Sequence, residues 1–417
     1  MFFVFGFVTW INAMLIPYFK IACELSNLQA YLVTFAFYIS YLLMSVPASY
    51  ILNRIGFKKG MMTGFWVMAA GAFIFIPAAV SRSYPVFLLG LFTIGIGLAI
   101  LQTAANPYVT ILGAKERAAQ RISIMGICNK TAGIIAPLLL AAVILRPGDH
   151  EIFKATALMD FVQKKQVLDH LIRRVIPPYA FICVILIVLG FVVRYSPLPE
   201  IENFRDEPTD GAEKSNRIIF DYPHLILGGV AIFFHVGAQI LAVDSIIGYA
   251  QGMGLTIIEA KAFPSYTLLA TIVGYLIGIS LIPRFISQIN ALRICTLLGV
   301  LFSVLVLTVN GRAEYSGHSI SISIWFLVFL GFANSMIWAG IWPLALTGLG
   351  RHLKLGASIL IMGLCGNAFM PLIYGYIADR FDLRSGYWIL LPCYMFLVFY
   401  AFYGYRIKRW SIIKYKN

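Results

Sequence analysis

Apolar runs of bilayer length recur from one end of this sequence to the other, divided by short polar breaks. A helix needs roughly 20 apolar residues to cross the hydrocarbon of a membrane. Runs of that order are predicted near 1–19, 27–52, 61–80, 85–112, 118–145, 175–194, 221–252, 262–283, 291–309, 320–348, 353–377 and 383–405. Pro17, Pro47, Pro107, Pro137, Pro343 and Pro371 fall inside them, which membrane helices tolerate when neighbours satisfy the carbonyls a proline frees. The expectation is an all-α integral membrane protein of about twelve transmembrane helices. One region breaks the apolar pattern in a telling way. From Gly97 to Pro137, two apolar segments flank a charged turn and carry Gln102, Thr103, Asn106, Asn129 and Lys130 where lipid alone would favour Leu or Val. A buried polar group without a partner costs several kcal/mol, so these side chains are expected to line a protein interior or a watery path.

Composition strengthens this reading: 60% of the 417 residues are hydrophobic and 12% charged, with a mean hydropathy of +0.85. Ordinary water-soluble domains do not have such a balance. The formal charge of +14 does not mark a nucleic-acid binder, because the basic residues stand singly or in small groups between apolar runs. Cys23, Cys128, Cys183, Cys295, Cys365 and Cys393 are scattered without metal-ligand spacing and read as buried thiols. No metal or cofactor is implied, and no cleavable signal peptide is evident at the start, MFFVFGFVTW.

The polar, proline-containing stretch from Tyr195 to Asn216 reads as a linker between halves. The expected organisation is a six-helix half over 1–194, a cytoplasmic linker over 195–220, a second six-helix half over 221–405 and a basic tail over 406–417. A short repeat agrees with it. Ile124-Met125-Gly126-Ile127-Cys128, between Pro107 and Pro137, recurs six spans later as Ile361-Met362-Gly363-Leu364-Cys365, between Pro343 and Pro371. Lys and Arg concentrate in the loops on the side of the termini, among them Arg54, Lys58, Lys59, Lys115, Arg117, Arg293, Arg351, Arg406 and Lys408, so both termini are expected to be cytoplasmic. The 146–174 loop has apolar residues at helical spacing among charges, as in a short helix lying on the outer surface.

Two stretches carry a resemblance. Asn53-Arg54-Ile55-Gly56-Phe57-Lys58-Lys59 resembles the loop signature GxxxDRxGRR of the major facilitator superfamily, with Asn53 in the place of the acid. A tight glycine turn with basic residues that pair and release suits a gate, so Asn53, Arg54, Gly56 and Lys58 are candidates for one. Gly375 to Arg380 is a partial relative of that signature. Leu101-Gln102-Thr103-Ala104-Ala105-Asn106-Pro107, followed by Ala119-Gln120-Arg121-Ile122 and Ile127-Cys128-Asn129-Lys130, resembles the fucose permease and glucose/galactose transporter family. Asn12-Ala13-Met14-Leu15-Ile16-Pro17 and Val236-Gly237-Ala238-Gln239 extend the likeness to both halves. The resemblance implies a sugar permease coupled to a cation, usually a proton. Two departures matter: Ala13 and Gln102 stand where fucose permeases carry an Asp and a Glu, and neither can titrate. The Gln form resembles the glucose/galactose and N-acetylglucosamine branch.

A sugar site needs amides to bridge hydroxyls and aromatic faces for C–H surfaces. Asn12, Gln102, Asn106, Asn129, Gln239, Asn334 and Asn367 supply amides, and Trp338, with Trp10 and Trp342, supplies rings. For cation coupling the candidates are Asp244, the clearest acid inside an apolar run, and Lys130. The two suit a proton site, a Na+ ligand set or a structural ion pair. The expected function is uptake of a neutral hexose by H+ or Na+ symport, acting as a monomer in a bacterial inner membrane. N-acetylglucosamine or fucose transport, gradient-independent transport and sugar sensing are the alternatives. No G-x-S-x-G, HExxH or paired intramembrane carboxylates suggest an enzyme.

Overall fold

The computed structural model describes residues 1–111, 118–146, 149, 159–197, 218–282, 285–349 and 353–410. Within helices, the side chains of Ser49, Asn53, 106–111, 118–123, 161 and 353–354 lie outside the description. Among the described residues, twelve helices are long and apolar enough to cross a bilayer. The first half holds Phe2–Ala22, Leu32–Leu52, Phe57–Ser81, Tyr84–Ala105, Ile124–Ile144 and Val162–Tyr195. The second holds Pro223–Asp244, Ile257–Leu281, Gln288–Thr308, Ser323–Leu346, Leu355–Arg380 and Ser385–Phe402. They are called here the first to twelfth spans. Because the count is even, both chain ends lie at one face; the other is termed the far face.

The sixth span is two helices in series: it opens with Phe161–Arg173, where the outer surface helix was expected, and continues as Ile176–Tyr195. The place of the opening helix is fixed by contacts to the first half: Tyr18 donates its hydroxyl to the Leu171 carbonyl at 2.5 Å, and Arg82 meets Asp169 at 3.4 Å. A two-stranded hairpin, Arg312–Tyr315 with His318–Ser321, joins the ninth and tenth spans at the far face. Ser316 and Gly317 turn it with positive φ at both positions, the backbone a tight hairpin requires. Of the expected linker, 198–217 lies outside the described residues.

In the first half, the third span packs on the fourth and sixth, the second on the fourth, and the first on the fifth. In the second half, the seventh lies against the eleventh and twelfth, and the tenth against the eighth and ninth. The halves meet where the fifth span packs on the eighth and the second on the eleventh. Two glycines show how close these backbones come. A Cβ on Gly6 would stand 2.0 Å from the Asn129 carbonyl oxygen, and one on Gly366 would stand 1.9 Å from that of Phe233. The first and fifth spans, and the seventh and eleventh, therefore touch backbone to backbone in corresponding places of the two halves. This agrees with the repeat read in the sequence.

Three spans are broken near mid-length. The first divides into Phe2–Trp10 and Asn12–Ala22, the tenth into Ser323–Asn334 and Ile337–Leu346. The eleventh passes through a 3-10 turn at Gly363–Cys365 before resuming at Gly366. Prolines lie shortly after each break: Pro17, Pro343 and Pro371. A proline frees the carbonyl four residues earlier; for Pro343 that is Ala339, whose oxygen accepts from the Gln288 amide of the ninth span at 2.5 Å. Asn12, Asn334 and Asn367 stand beside the three breaks. The outward surface is apolar, with Phe181, Val184, Val188 and Val192 of the sixth span exposed, as a lipid-facing helix requires.

Candidate transport site

A polar cluster joins the halves between the first, fifth and seventh spans. Trp10 donates its indole N–H to Asn129 Oδ1 at 3.2 Å. Lys130 Nζ lies 4.1 Å from the centre of the Trp10 ring and donates to Gln239 Oε1 at 3.2 Å. Lys130 is only 7% exposed. A buried ammonium without a carboxylate is costly; the indole face and the amide carbonyl offset part of that cost. Gln239 and Asn129 are half-buried, so the cluster is reachable from one side.

Deeper in the second half, His235 lies one turn before Gln239, in the field of Lys130 and beside Asn334. Asn334 Oδ1 accepts from the Tyr394 hydroxyl at 3.0 Å. His235 Nδ1, Asn334 Nδ2 and Asn367 Oδ1 are buried without a hydrogen-bond partner. Unsatisfied buried polar atoms are rare and ask for water or a ligand. Trp338, half-buried, stacks on Trp342 with ring centres 5.2 Å apart and planes at 24°.

In the first half, Gln102 is half-buried and donates through Nε2 to the Tyr41 hydroxyl at 2.9 Å. Asn12 follows Trp10 by two residues and so faces nearly the opposite way on the helix. It is fully buried beside a small cavity lined by Val8, Phe37, Leu91 and Tyr179, and neither amide atom has a partner. The structure thus brings Asn129, Lys130 and Gln239 together and holds Asn12 apart from them. The Asn106 side chain lies outside the described residues.

Asp244 and Lys130 are not an ion pair. Asp244 is 1% exposed and accepts from Thr34 Oγ1 of the second span at 3.2 Å, while its Oδ1 has no partner. Asp244 stands beside a closure of the far face that sequence reasoning missed. Ser245 Oγ is 2.8 Å from the Tyr387 hydroxyl, the Tyr387 and Tyr374 ring centres are 4.8 Å apart, and Tyr374 meets Tyr31 edge-on at 5.4 Å. Asp379 completes the closure from the eleventh span. Its carboxylate accepts from Asn27 N at 3.0 Å, Asn27 Nδ2 at 2.6 Å and Leu28 N at 2.8 Å. Gly375 lets the chains approach: a Cβ there would stand 2.8 Å from the Tyr31 ring.

The expected gating loop lies at the face of the termini. Gly56 has φ +80° and ends the second-span helix, as a glycine turn predicts. Lys58 donates to the Ser196 carbonyl at 2.5 Å, a bond within the first half. Arg54 is exposed, and the Asn53 side chain lies outside the described residues. Its partial relative, Gly375 to Arg380, is at the far face and belongs to the closure there. Among the described residues no three His, Cys, Asp or Glu side chains form a metal-binding group.

Twelve spans in two six-helix groups, meeting over buried and half-buried polar side chains and closed across one face, define a polytopic membrane transporter. The chain belongs to the Major Facilitator Superfamily, whose model matches residues 1–362. It is 31% identical over 407 residues to the glucose/galactose transporter of Brucella abortus biovar 1 (strain 9-941), covering 97% of this chain and 92% of that one. It is 27% identical over 411 residues to the L-fucose-proton symporter of Escherichia coli (strain K12), covering 97% and 91%. Among solved structures, a variant of the E. coli fucose:proton symporter superposes with a TM-score of 0.71 at 25% identity, over 96% of this chain and 95% of that one.

Proposed function

We propose that this chain imports a neutral hexose of the glucose/galactose class by proton symport, through alternating exposure of a site between the two halves. The observation that carries the reading is the cluster of Trp10, Asn129, Lys130 and Gln239, which presents a ring, two amides and an ammonium across the junction of the halves. That is the chemistry by which hydroxyl-rich rings are held. The named activities of the Brucella and E. coli relatives support the same substrate class.

Asp244 is assigned the coupling. Around it the structure offers the Thr34 hydroxyl and two neighbouring phenols, Tyr31 and Tyr38. A metal cation is held by a fuller shell of oxygens, so an exchangeable proton fits better than Na+. Because Asp244 bonds from the second half to the first, its protonation and the closing of the far face are one event. On this reading the termini face the cytoplasm, the far face is external, and the conformation is closed to the outside.

The test is uptake of radiolabelled hexoses into proteoliposomes with a pH or Na+ gradient imposed separately. Concentrative uptake under the pH gradient alone is expected. Asp244→Asn should abolish accumulation and leave exchange of sugar across the membrane intact. Gradient-independent equilibration would make the protein a uniporter, and normal accumulation by Asp244→Asn would remove the acid from the mechanism.

A further inference from the structure

We propose that the site between the halves also takes hexoses that carry a carboxylate, the hexuronates, and through Lys130 holds them more tightly than their uncharged counterparts. The inference rests on the hexose reading above and adds a substrate class to it.

A charge buried within a membrane span is paired or faces water. Elsewhere in this chain the buried acids are accounted for: Asp149 meets Arg174 at 2.6 Å, and Asp244 takes its bond from Thr34 of the second span. Lys130, only 7% exposed, forms no ion pair among the described residues. A carboxylate is the missing partner.

The neighbours of Lys130 sharpen that demand. An ammonium is a donor only, so the Gln239 atom that meets it at 3.2 Å must be the amide oxygen, and the Gln239 NH2 is directed elsewhere. An indole N–H is a donor only as well, so Trp10 fixes the oxygen of Asn129 on itself and leaves that amide's NH2 turned away. Neither amide nitrogen makes a hydrogen bond among the described residues. The ammonium has three N–H groups; one goes to Gln239, the Trp10 ring lies against the group at 4.1 Å, and the remainder find no acceptor among the described residues. Asn129 and Gln239 are half-buried and so reachable. What the cluster holds out to a ligand is therefore donors, with one positive charge among them.

A sugar hydroxyl answers a donor by accepting, but it brings no charge. A carboxylate is an acceptor at both oxygens, and charge-assisted hydrogen bonds are roughly twice as strong as neutral ones. One carboxylate balances one ammonium. A phosphate monoester, with about −1.5 to −2 charges at pH 7, would replace a positive excess by a negative one.

The experiment uses the full-length protein in detergent at pH 7, with isothermal titration of D-glucose and D-galactose, of D-glucuronate and D-galacturonate, and of the two uronamides. A uronamide keeps the shape of the uronate and loses its charge. At least one uronate should bind about tenfold to a hundredfold more tightly than its uronamide, the value of one hydrogen bond to a charged group. Lys130→Met should bring that ratio to one or below. Gln239→Glu supplies from the protein the carboxylate that Lys130 lacks and should reverse the preference, so that the uronamide binds better. This second variant decides the matter should Lys130→Met fail to fold.

Equal affinity for uronate and uronamide in the unmodified protein, or a preference that survives both substitutions, would overturn the role of Lys130. Binding of the neutral hexoses without the uronates would overturn it too, and would leave the hexose reading standing. Absence of binding by every sugar would instead remove the hexose reading, and this inference with it.

Discussion

Replacing Asp379 with Ala should open the far face. The carboxylate takes three N–H groups from Asn27 and Leu28, at 2.6 to 3.0 Å, and these are contacts from the second half to the first. Hydrogen bonds to a charged group are worth about 1.5–3 kcal/mol each when shielded. Asp379 is exposed, however, and water competes for all three, which brings each near the surface value of 0.2–1 kcal/mol. Together they favour closure by roughly 1–2 kcal/mol, a factor of about 5–30 between closed and open populations. Spin labels at Ser81→Cys and Ser316→Cys, in a cysteine-free background, report the separation of the halves at that face. Asp379→Ala should move population from the short to the long distance by that factor, and Asp379→Asn, which keeps one acceptor oxygen, by less. Identical distance distributions in all three proteins would show that the carboxylate does not hold the closure.

Three further outcomes follow from the packing and charges. Lys130→Met keeps the stem over Trp10 and removes a buried charge that no carboxylate balances. Its melting temperature should rise by about 2–4 °C for each kcal/mol relieved while transport is lost, and a fall in melting temperature would contradict the account of that charge. Gly366→Ala places a methyl group 1.9 Å from the Phe233 oxygen and should cost about 1–3 kcal/mol or more, read as lost folded yield; Gly248→Ala, with nothing within 4 Å, is the matched control and should fold normally. Outside the spans, hydrogen bonds from Ser385 and Arg384 hold the Asp382 carboxyl below its ordinary value of 3.8. A depressed folded-state value stabilises above the unfolded one and is lost as pH falls through the folded one. Melting temperature should therefore decline below about pH 4, less steeply in Asp382→Asn; superimposable profiles would discount the cap.

The helices were legible because lipid leaves little choice: a span must be apolar over bilayer length, and all twelve predicted runs correspond to spans. Lys130, Gln102 and Gln239 were legible as polar side chains where lipid would refuse them. What could not be read was which of them meet. The separation of Asp244 from Lys130 depends on the rotation and depth of the fifth and seventh spans, which are fixed by contacts such as Gly6 on Asn129 and Gly366 on Phe233. Asn12 looked equivalent to the other amides, yet its helix turns it into the first half. The tyrosines of the far-face closure gave no signal, since Tyr is at home near any membrane interface. Asp379 was read with a motif of the opposite face. An acid at the end of an apolar span was the available clue to its capping role.

The contact of Trp10 with Lys130 and Asn129 has an optical consequence. An indole whose N–H is donated to an amide and whose face lies under an ammonium emits light at an intensity and wavelength set by both neighbours. A solute that displaces either one changes that emission. The protein therefore carries a built-in fluorophore at the proposed site, and Trp10→Phe, which leaves six of the seven tryptophans in place, isolates its share of the signal. Occupancy can be followed in unlabelled protein, in real time, as a colour change.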